Sequence, residues 1–508
     1  MASQKDIANR IPITGALMLA TLMNTLDSTI ANVALPHMQG SVSASADQIV
    51  WVLTSYIIAT AIMTPLSGWL SQKIGRKTMF LASIAGFTLA SILCGLATSL
   101  PELVIFRLLQ GIAGASLMPL SQATMLDIYP QRLIPRVMSI WSAAVILGPI
   151  IGPTLGGWLT EDFSWRWVFY INVPIGILAF VGIWTFMDRD DGGRQRPFDV
   201  LGFGALVLFI GGFQLLVDRG PSQDWFDSRE IWIEAAICAA GLWIFVVQTI
   251  TAEHPFFHRD LAKDGNFVGA AIFGMFVGVL LFSTSALLPS MMQNLLGYSA
   301  LQAGVASMTR GLGSFIAFLA VPMLMVRFGP RPVLLVGILL SSLALWQMGQ
   351  FDLSMTAGPI EWAGFIQGLG TGLLFAPLNT LAYAKLAPVH RTEGTIVATM
   401  ARSLGASLGI SALQAMLIRD SATAHSGLSA HVTVTDPVLR WALPPMLNLQ
   451  SVPGLSALNG ELTRQGAMIS YDALFSGMAV GCLFLAPLLL WLRPSRGPPP
   501  SGPELTVD

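Results

Sequence analysis

The chain has 508 residues, 54% of them apolar and only 11% charged, with a formal net charge of −1. Soluble domains carry about 25% charged residues, so a string of water-soluble domains is excluded, and without a basic cluster so is a nucleic-acid-binding protein. Together with a mean hydropathy of +0.66, this describes a polytopic, all-α membrane protein.

Taken from the start, MASQKDIANR is short and polar. The apolar run after it is longer than a signal-peptide core and lacks the small-residue exit of one, so it is read as the first span. Runs of about 20 apolar residues cross the hydrocarbon as helices. Fourteen occur, at 13–36, 49–71, 79–98, 101–124, 137–159, 168–187, 199–217, 231–250, 266–291, 301–326, 332–350, 359–383, 394–418 and 468–492. Eighteen Lys and Arg fall on the side of the N-terminus, six on the other side, and three (Arg107, Arg310, Arg402) within spans. That bias predicts both termini in the cytoplasm. Cys94, Cys238 and Cys482 all lie in apolar runs, which predicts neither a disulfide framework nor a metal site.

Within the first span, NTLDSTIANVALP (24–36) places Asp27 in the membrane. There a carboxylate costs roughly 2.5–3.5 kcal/mol on insertion scales and therefore marks function. GWLSQKIGRKTMF (68–80) follows, with Gly68, Lys73, Gly75, Arg76 and Lys77 around a tight cytoplasmic turn. It is either a positive-inside anchor or a gating turn, and it is not a nucleotide-binding loop, because no Gly-Lys-Ser/Thr follows. RLLQGIAGASLMPL (107–120) buries Arg107 ahead of Gly111, Gly114, Ala115 and Ser116, small residues that admit a neighbouring helix. A lone arginine near a helix end can also snorkel to the headgroups. Counted along their helices, however, Asp27 and Arg107 both lie roughly 10–13 Å below the outer surface, which makes them plausible partners. In GPIIGPTLGG (148–157), Gly148, Gly152 and Gly156 form one small-residue face, accompanied by Pro149, Pro153 and Gly157. Arg310 and Arg402 are further cations at depth, with backbone carbonyls, water or an anionic ligand as possible partners. The segment 419–467 is polar and proline-rich and is read as a long outer loop, either solvated or a contact surface. The tail 493–508 is read as disordered.

The chain repeats itself. SADQ (45–48) and QKIGRKTMF (72–80) return as SALQ (299–302) and VRFGPRPVL (326–334), both 254 residues later, and QGIAG (110–114) returns as QGLGT (367–371). This predicts two six-helix halves, 13–187 and 266–492, with an inserted helix pair at 199–250. Such repeats place a binding site at the interface of the halves and make the gating-turn reading of 68–80 the better one. Arg107 has no counterpart in the second half, where Gly364 stands in its place, which favours a functional role for it. No nucleophile–base pair or metal cluster suggests an enzyme, and a passive channel would not need Asp27.

In this order, LDSTIANVALP, GWLSQKIGRK, RLLQGIAGA and GPIIGPTLGG resemble the first-helix, loop, helix-4 and antiporter motifs of the major facilitator superfamily, in particular its 14-helix drug:proton antiporter family. AHSGLSAHVTVTDP (424–437) and LNGELTRQGAMISYDALF (458–475) narrow the resemblance to multidrug efflux permeases of bacterial inner membranes. These work with a periplasmic membrane-fusion adaptor and an outer-membrane channel. The resemblance implies export of small hydrophobic drugs driven by the proton gradient without a cofactor, with Asp27 and Arg107 coupling protons. It also implies a cavity served by Asn24, Gln110, Arg310, Gln367, Asn379 and Arg402. The excess of arginine over carboxylate at that depth predicts neutral or weakly acidic substrates. A dedicated exporter of one endogenous metabolite is the alternative. One departure is Gln72, where the superfamily motif usually carries an aspartate.

Overall fold

A computed structural model describes residues 9–129, 134–188, 197–220, 223, 225–253, 255–382, 391–432 and 451–492. The predicted tail 493–508 lies outside them. Long helical stretches follow one another at the predicted spans. The first half comprises α1 (Arg10–Ser41), α2 (Trp51–Ile74), α3 (Arg76–Leu96), α4 (Leu100–Gly114) continued by α5 (Leu117–Ile128), α6 (Ile134–Asp162), and α7 (Trp167–Tyr170) continued by α8 (Asn172–Phe186). The inserted pair is α9 (Val200–Arg219) and α10 (Arg229–Thr251), and the short α11 (Arg259–Lys263) leads into the second half. That half holds α12 (Gly265–Asn294), α13 (Ala300–Phe328), α14 (Pro330–Met348), α15 (Ala357–Ala382), α16 (Arg391–Ala430), α17 (Val452–Leu483) and α18 (Leu488–Trp491).

Among the described residues, eleven helices are long and apolar enough to cross a membrane. Helix α1 is not one of them: between Asn24 and Asn32 it carries six polar residues. These residues need protein around them, and α1 is accordingly packed on by α6, α8 and α12.

The repeated motifs form repeated local structure. Before α2, the Ser45 amide donates to Gln48 Oε1 at 3.2 Å, and at α13 Ser299 and Gln302 close a reciprocal capping box. The same two helices end on Gly75 (φ 86°) and Gly329 (φ 80°), a backbone region that glycine enters without a Cβ clash. Helix packing repeats as well. In the first half α1 lies on α6, α2 on α4, and α3 on α4 and α8; in the second α12 lies on α16, α13 on α15, and α14 on α15 and α17. The halves meet along α6–α13, α2–α16 and α1–α12.

The inserted pair is tied to the second half. Gln214 of α9 donates to Ser411 at 2.9 Å and accepts from Ser407 at 2.7 Å, both on α16. The segment read as a long loop at 419–467 is helical at both flanks, since α16 runs on to Ala430 and α17 starts at Val452. His425 and Asn459 meet across the two extensions at 3.0 Å. Hydropathy marks only the part of a helix that lies in lipid, so a polar continuation of the same helix escapes it.

Candidate functional site

Asp27, on the polar stretch of α1, sits at the centre of a hydrogen-bonded cluster. Arg107 Nη1 of α4 donates to Asp27 Oδ2 at 2.6 Å and to Gln110 Oε1 at 2.8 Å. Gln110 Nε2 and Asn172 Nδ2, from α4 and α8, both donate to Asp27 Oδ1, at 2.9 and 2.8 Å. Arg107 Nε donates to the Val52 carbonyl at 3.0 Å, and its guanidinium lies 4.3 Å over the Tyr56 ring. Asp27, Arg107, Gln110 and Asn172 are each no more than 1% exposed. Buried charges persist only when paired and hydrogen-bonded, and here both are: the carboxylate accepts three bonds from three side chains, and the guanidinium is shared among α1, α2 and α4.

Small residues make this convergence possible. A Cβ at Gly111 would lie 2.5 Å from the Tyr56 carbonyl oxygen, and one at Gly114 would lie 2.8 Å from Asn24 Nδ2. Asn24 bonds Tyr56 Oη and the Gly114 carbonyl, and thus braces Tyr56 rather than Asp27. Sequence reasoning missed Asn172 and Tyr56. The first stood at the edge of an apolar run and the second inside one, with no charge to draw notice.

The glycine face of α6 rests on α1. A Cβ at Gly148 would lie 2.8 Å from Leu26 N, one at Gly156 would lie 2.7 Å from the Ile30 carbonyl oxygen, and Gly152 meets Thr29. The opposite side of α6 meets the second half: Pro153 touches Gly304, Gly157 touches Ala300, and Ile150 Cγ1 would lie 2.6 Å from a Cβ at Gly311. Of Pro149 only the helical backbone is described. The motif therefore packs α6 between the helix carrying Asp27 and the other half of the protein.

Between the halves lies a small cavity. Thr29 and Asn32 of α1 line it from one side, and Thr284 and Ser285 of α12 with Ser307 and Arg310 of α13 line it from the other. Arg310 donates to Ser285 Oγ. Gln367 lies behind this wall and donates to Thr284 at 3.0 Å. Arg402 instead lies on α16 over the Phe375 ring, 5.4 Å from its centroid, and Asn379 is exposed. The predicted cavity residues thus separate: Arg310 and Gln367 are at the seam, Gln110 belongs to the Asp27 cluster, and Asn24, Asn379 and Arg402 lie elsewhere.

At the turn after α2, Arg76 pairs with Asp127 of α5 at 2.5 Å. Lys77 Nζ donates to the Trp184 and Met187 carbonyls at the end of α8, at 2.7 and 2.5 Å, and Lys73 stacks 4.8 Å from the Trp69 ring. Gly68 faces Ile396 of α16, where a Cβ would lie 3.2 Å from Cδ1, so this end of α2 touches the second half.

Comparison with known proteins agrees with this architecture. The chain is 32% identical over 503 residues to the multidrug export protein EmrB of Escherichia coli K12, covering 98% of each chain. It is also 32% identical to the fatty acid resistance protein FarB of Neisseria gonorrhoeae, covering 95% of this chain and 96% of that one. Among solved structures, a bacterial homologue of the lysosomal transporter Spinster superposes with a TM-score of 0.63 at 18% identity, covering 96% of this chain and 99% of that one. An auto-inhibited POT family peptide transporter gives 0.64 at 14% identity, covering 94% and 96%. Finally, the sequence profile of the Major Facilitator Superfamily matches residues 17–418, and with two similarly packed sets of helices meeting at a polar seam, this multi-pass membrane protein belongs to that superfamily of transporters.

Proposed function

We propose that the protein exports hydrophobic drugs from the cytoplasm in exchange for protons, with Asp27 as the proton carrier. The observation that carries this reading is the fully buried cluster of Asp27, Arg107, Gln110 and Asn172. A proton on Asp27 cancels the charge that holds Arg107 Nη1. The guanidinium then keeps the Val52 and Gln110 carbonyls and the Tyr56 and Phe169 rings, and the tie between α1 and α4 loosens. Helix α1 also presents Thr29 and Asn32 to the seam cavity, so the helix that senses the proton is a wall of the substrate space. Alternation then follows from rocking of one half against the other.

The names of EmrB and FarB support a drug or amphiphile as cargo. The excess of Lys and Arg at the Gly75 and Gly329 end supports a cytoplasmic position for that end and for both termini. In this reading the protein is the inner-membrane permease of a tripartite pump. The helical extensions at 419–430 and 452–467 form the face offered to a periplasmic membrane-fusion adaptor, which hands substrate to an outer-membrane channel.

The test is Asp27→Asn in inverted membrane vesicles carrying an imposed proton gradient. Wild type should release the gradient when drug is added, and the variant should not, while still binding drug. Release of the gradient by the variant at the wild-type rate would remove Asp27 from the proton path.

A further inference from the structure

The two halves treat their buried charge differently. Leu26-Asp27-Ser28-Thr29 of α1 returns 255 residues later as Leu281-Phe282-Ser283-Thr284 of α12, so the carboxylate of the first half is replaced by a phenyl ring. Gln110 returns as Gln367, 257 residues on, and Arg107 is replaced by Gly364. The second half nevertheless has a cation at this place, supplied by the neighbouring helix. Gly364 and Arg310 line the same cavity, and a Cβ on Gly364 would lie 3.9 Å from Arg310 Cβ.

In the first half the charge is balanced, since Arg107 pairs with Asp27 and both polar atoms of Gln110 are used. In the second, no carboxylate among the described residues pairs with Arg310, whose hydrogen bond goes to the neutral Ser285 hydroxyl. Gln367 Oε1 is buried without a hydrogen-bond partner among the described residues. A cation held inside a membrane protein without a counter-charge is costly and marks a ligand or ion pathway. The same cavity has apolar walls, including Val33 and Leu288.

We propose that Arg310 is a specificity-determining anion subsite that takes the ionised acid group of an amphipathic substrate, whose apolar body lies against Val33 and Leu288. The guanidinium supplies the planar fork that pairs with a carboxylate through two parallel N–H···O bonds. Phe282 matters by what it leaves out: an aspartate at that position would place a second carboxylate in this half, whereas the phenyl ring leaves the anionic role to the cargo. This inference rests on the export reading, which supplies the reason for a substrate at the seam, but binding at the subsite does not require proton coupling.

The test uses purified protein and a matched pair of radiolabelled probes, 1-naphthaleneacetic acid and its uncharged amide, with equilibrium binding and uptake into inverted vesicles measured for each. Arg310→Gln should weaken binding of the acid by about tenfold or more, the loss of one charge-assisted pair, and change amide binding by less than about twofold. Arg310→Lys keeps the charge without the fork and should fall between the two. Equal losses for acid and amide would make Arg310 a packing residue and overturn the proposal, as would a variant that binds the acid as well as wild type does. The two readings separate cleanly: wild type that binds acid through Arg310 but moves neither probe against a proton gradient refutes export and leaves the subsite standing. Wild type that transports the amide but never binds the acid does the reverse.

Discussion

Arg107 makes its contacts from three different directions, and that decides which substitutions it tolerates. Its Nε reaches the Val52 carbonyl, its Nη1 bridges Asp27 and Gln110, and its flat face covers Tyr56. Lysine would keep the charge but, as a point donor on a flexible stem, could not span these partners or stack on the ring. Arg107→Lys should therefore lower proton-coupled export by about tenfold or more, at about 1.4 kcal/mol per tenfold, while the protein still folds. Arg107→Ala leaves a buried carboxylate unpaired, which costs about 3–5 kcal/mol, and should reduce the yield of folded protein. Thermal melts in detergent beside gradient-release assays in vesicles separate the two effects, and full activity of the lysine variant would show that charge alone suffices. The Asp27–Arg107 pairing was legible in the sequence because charges are rare in apolar runs and their depths can be counted. Asn172 was not legible, because an asparagine at the start of a span reads as a helix boundary. Its role appears only when the turn between α7 and α8 brings it to 2.8 Å from Asp27 Oδ1.

Among the elements, the contact between α6 and α13 combines close packing with a titratable tie. Glu161, at the end of α6 in the first half, accepts from the Leu301 amide at the start of α13 in the second, at 3.0 Å. It is an anion set at a helix N-terminus, where the unpaired amides favour negative charge. The Ser299 hydroxyl, the Leu301 amide and the facing His37 of α1 hold its carboxyl below the usual glutamate range. When the halves separate at this end, those partners are lost and the ordinary pKa returns. The tie therefore favours the joined state fully above the ordinary glutamate pKa of about 4.3 and is lost as pH falls through the lower value of the joined state. Spin labels across α6 and α13 should show this end closed at neutral pH and opening in acid, at pH below the ordinary glutamate pKa of about 4.3. Glu161→Gln, which keeps an acceptor but does not titrate, should flatten that profile. An unchanged acid opening in the variant would assign it to another group. The glycine spacing of α6 was legible as a packing face, but the sequence did not say against which helix. The answer is two helices, α1 on one side and α13 on the other, and only the fold shows that one element serves both.

For the whole molecule, the repeat made the two halves legible, because motifs 254 residues apart must build similar structure. What it left out was the seam, because likeness between the halves does not say which of their faces meet. Across the end opposite the basic turns, Gln293 of α12 donates to the Val33 carbonyl of α1 at 2.9 Å, and Pro153 and Gly157 of α6 meet Gly304 and Ala300 of α13. These contacts shut the proposed outer exit above the cavity that holds Arg310. Export by rocking halves requires them to part in every cycle. A thiol pair at Val33→Cys and Gln293→Cys, joined by a short bifunctional reagent, should hold this end closed. The native thiols interfere little: Cys94 and Cys482 are buried, and half-buried Cys238 can be replaced by serine. Linked protein should bind drug from the cytoplasmic side yet export none, each single variant treated alike should keep the rate it shows untreated, and cleavage of the link should restore the rate of the unlinked double variant. Linked protein that exported at full rate would mean that substrate leaves by another route and that these contacts are permanent structure rather than a gate.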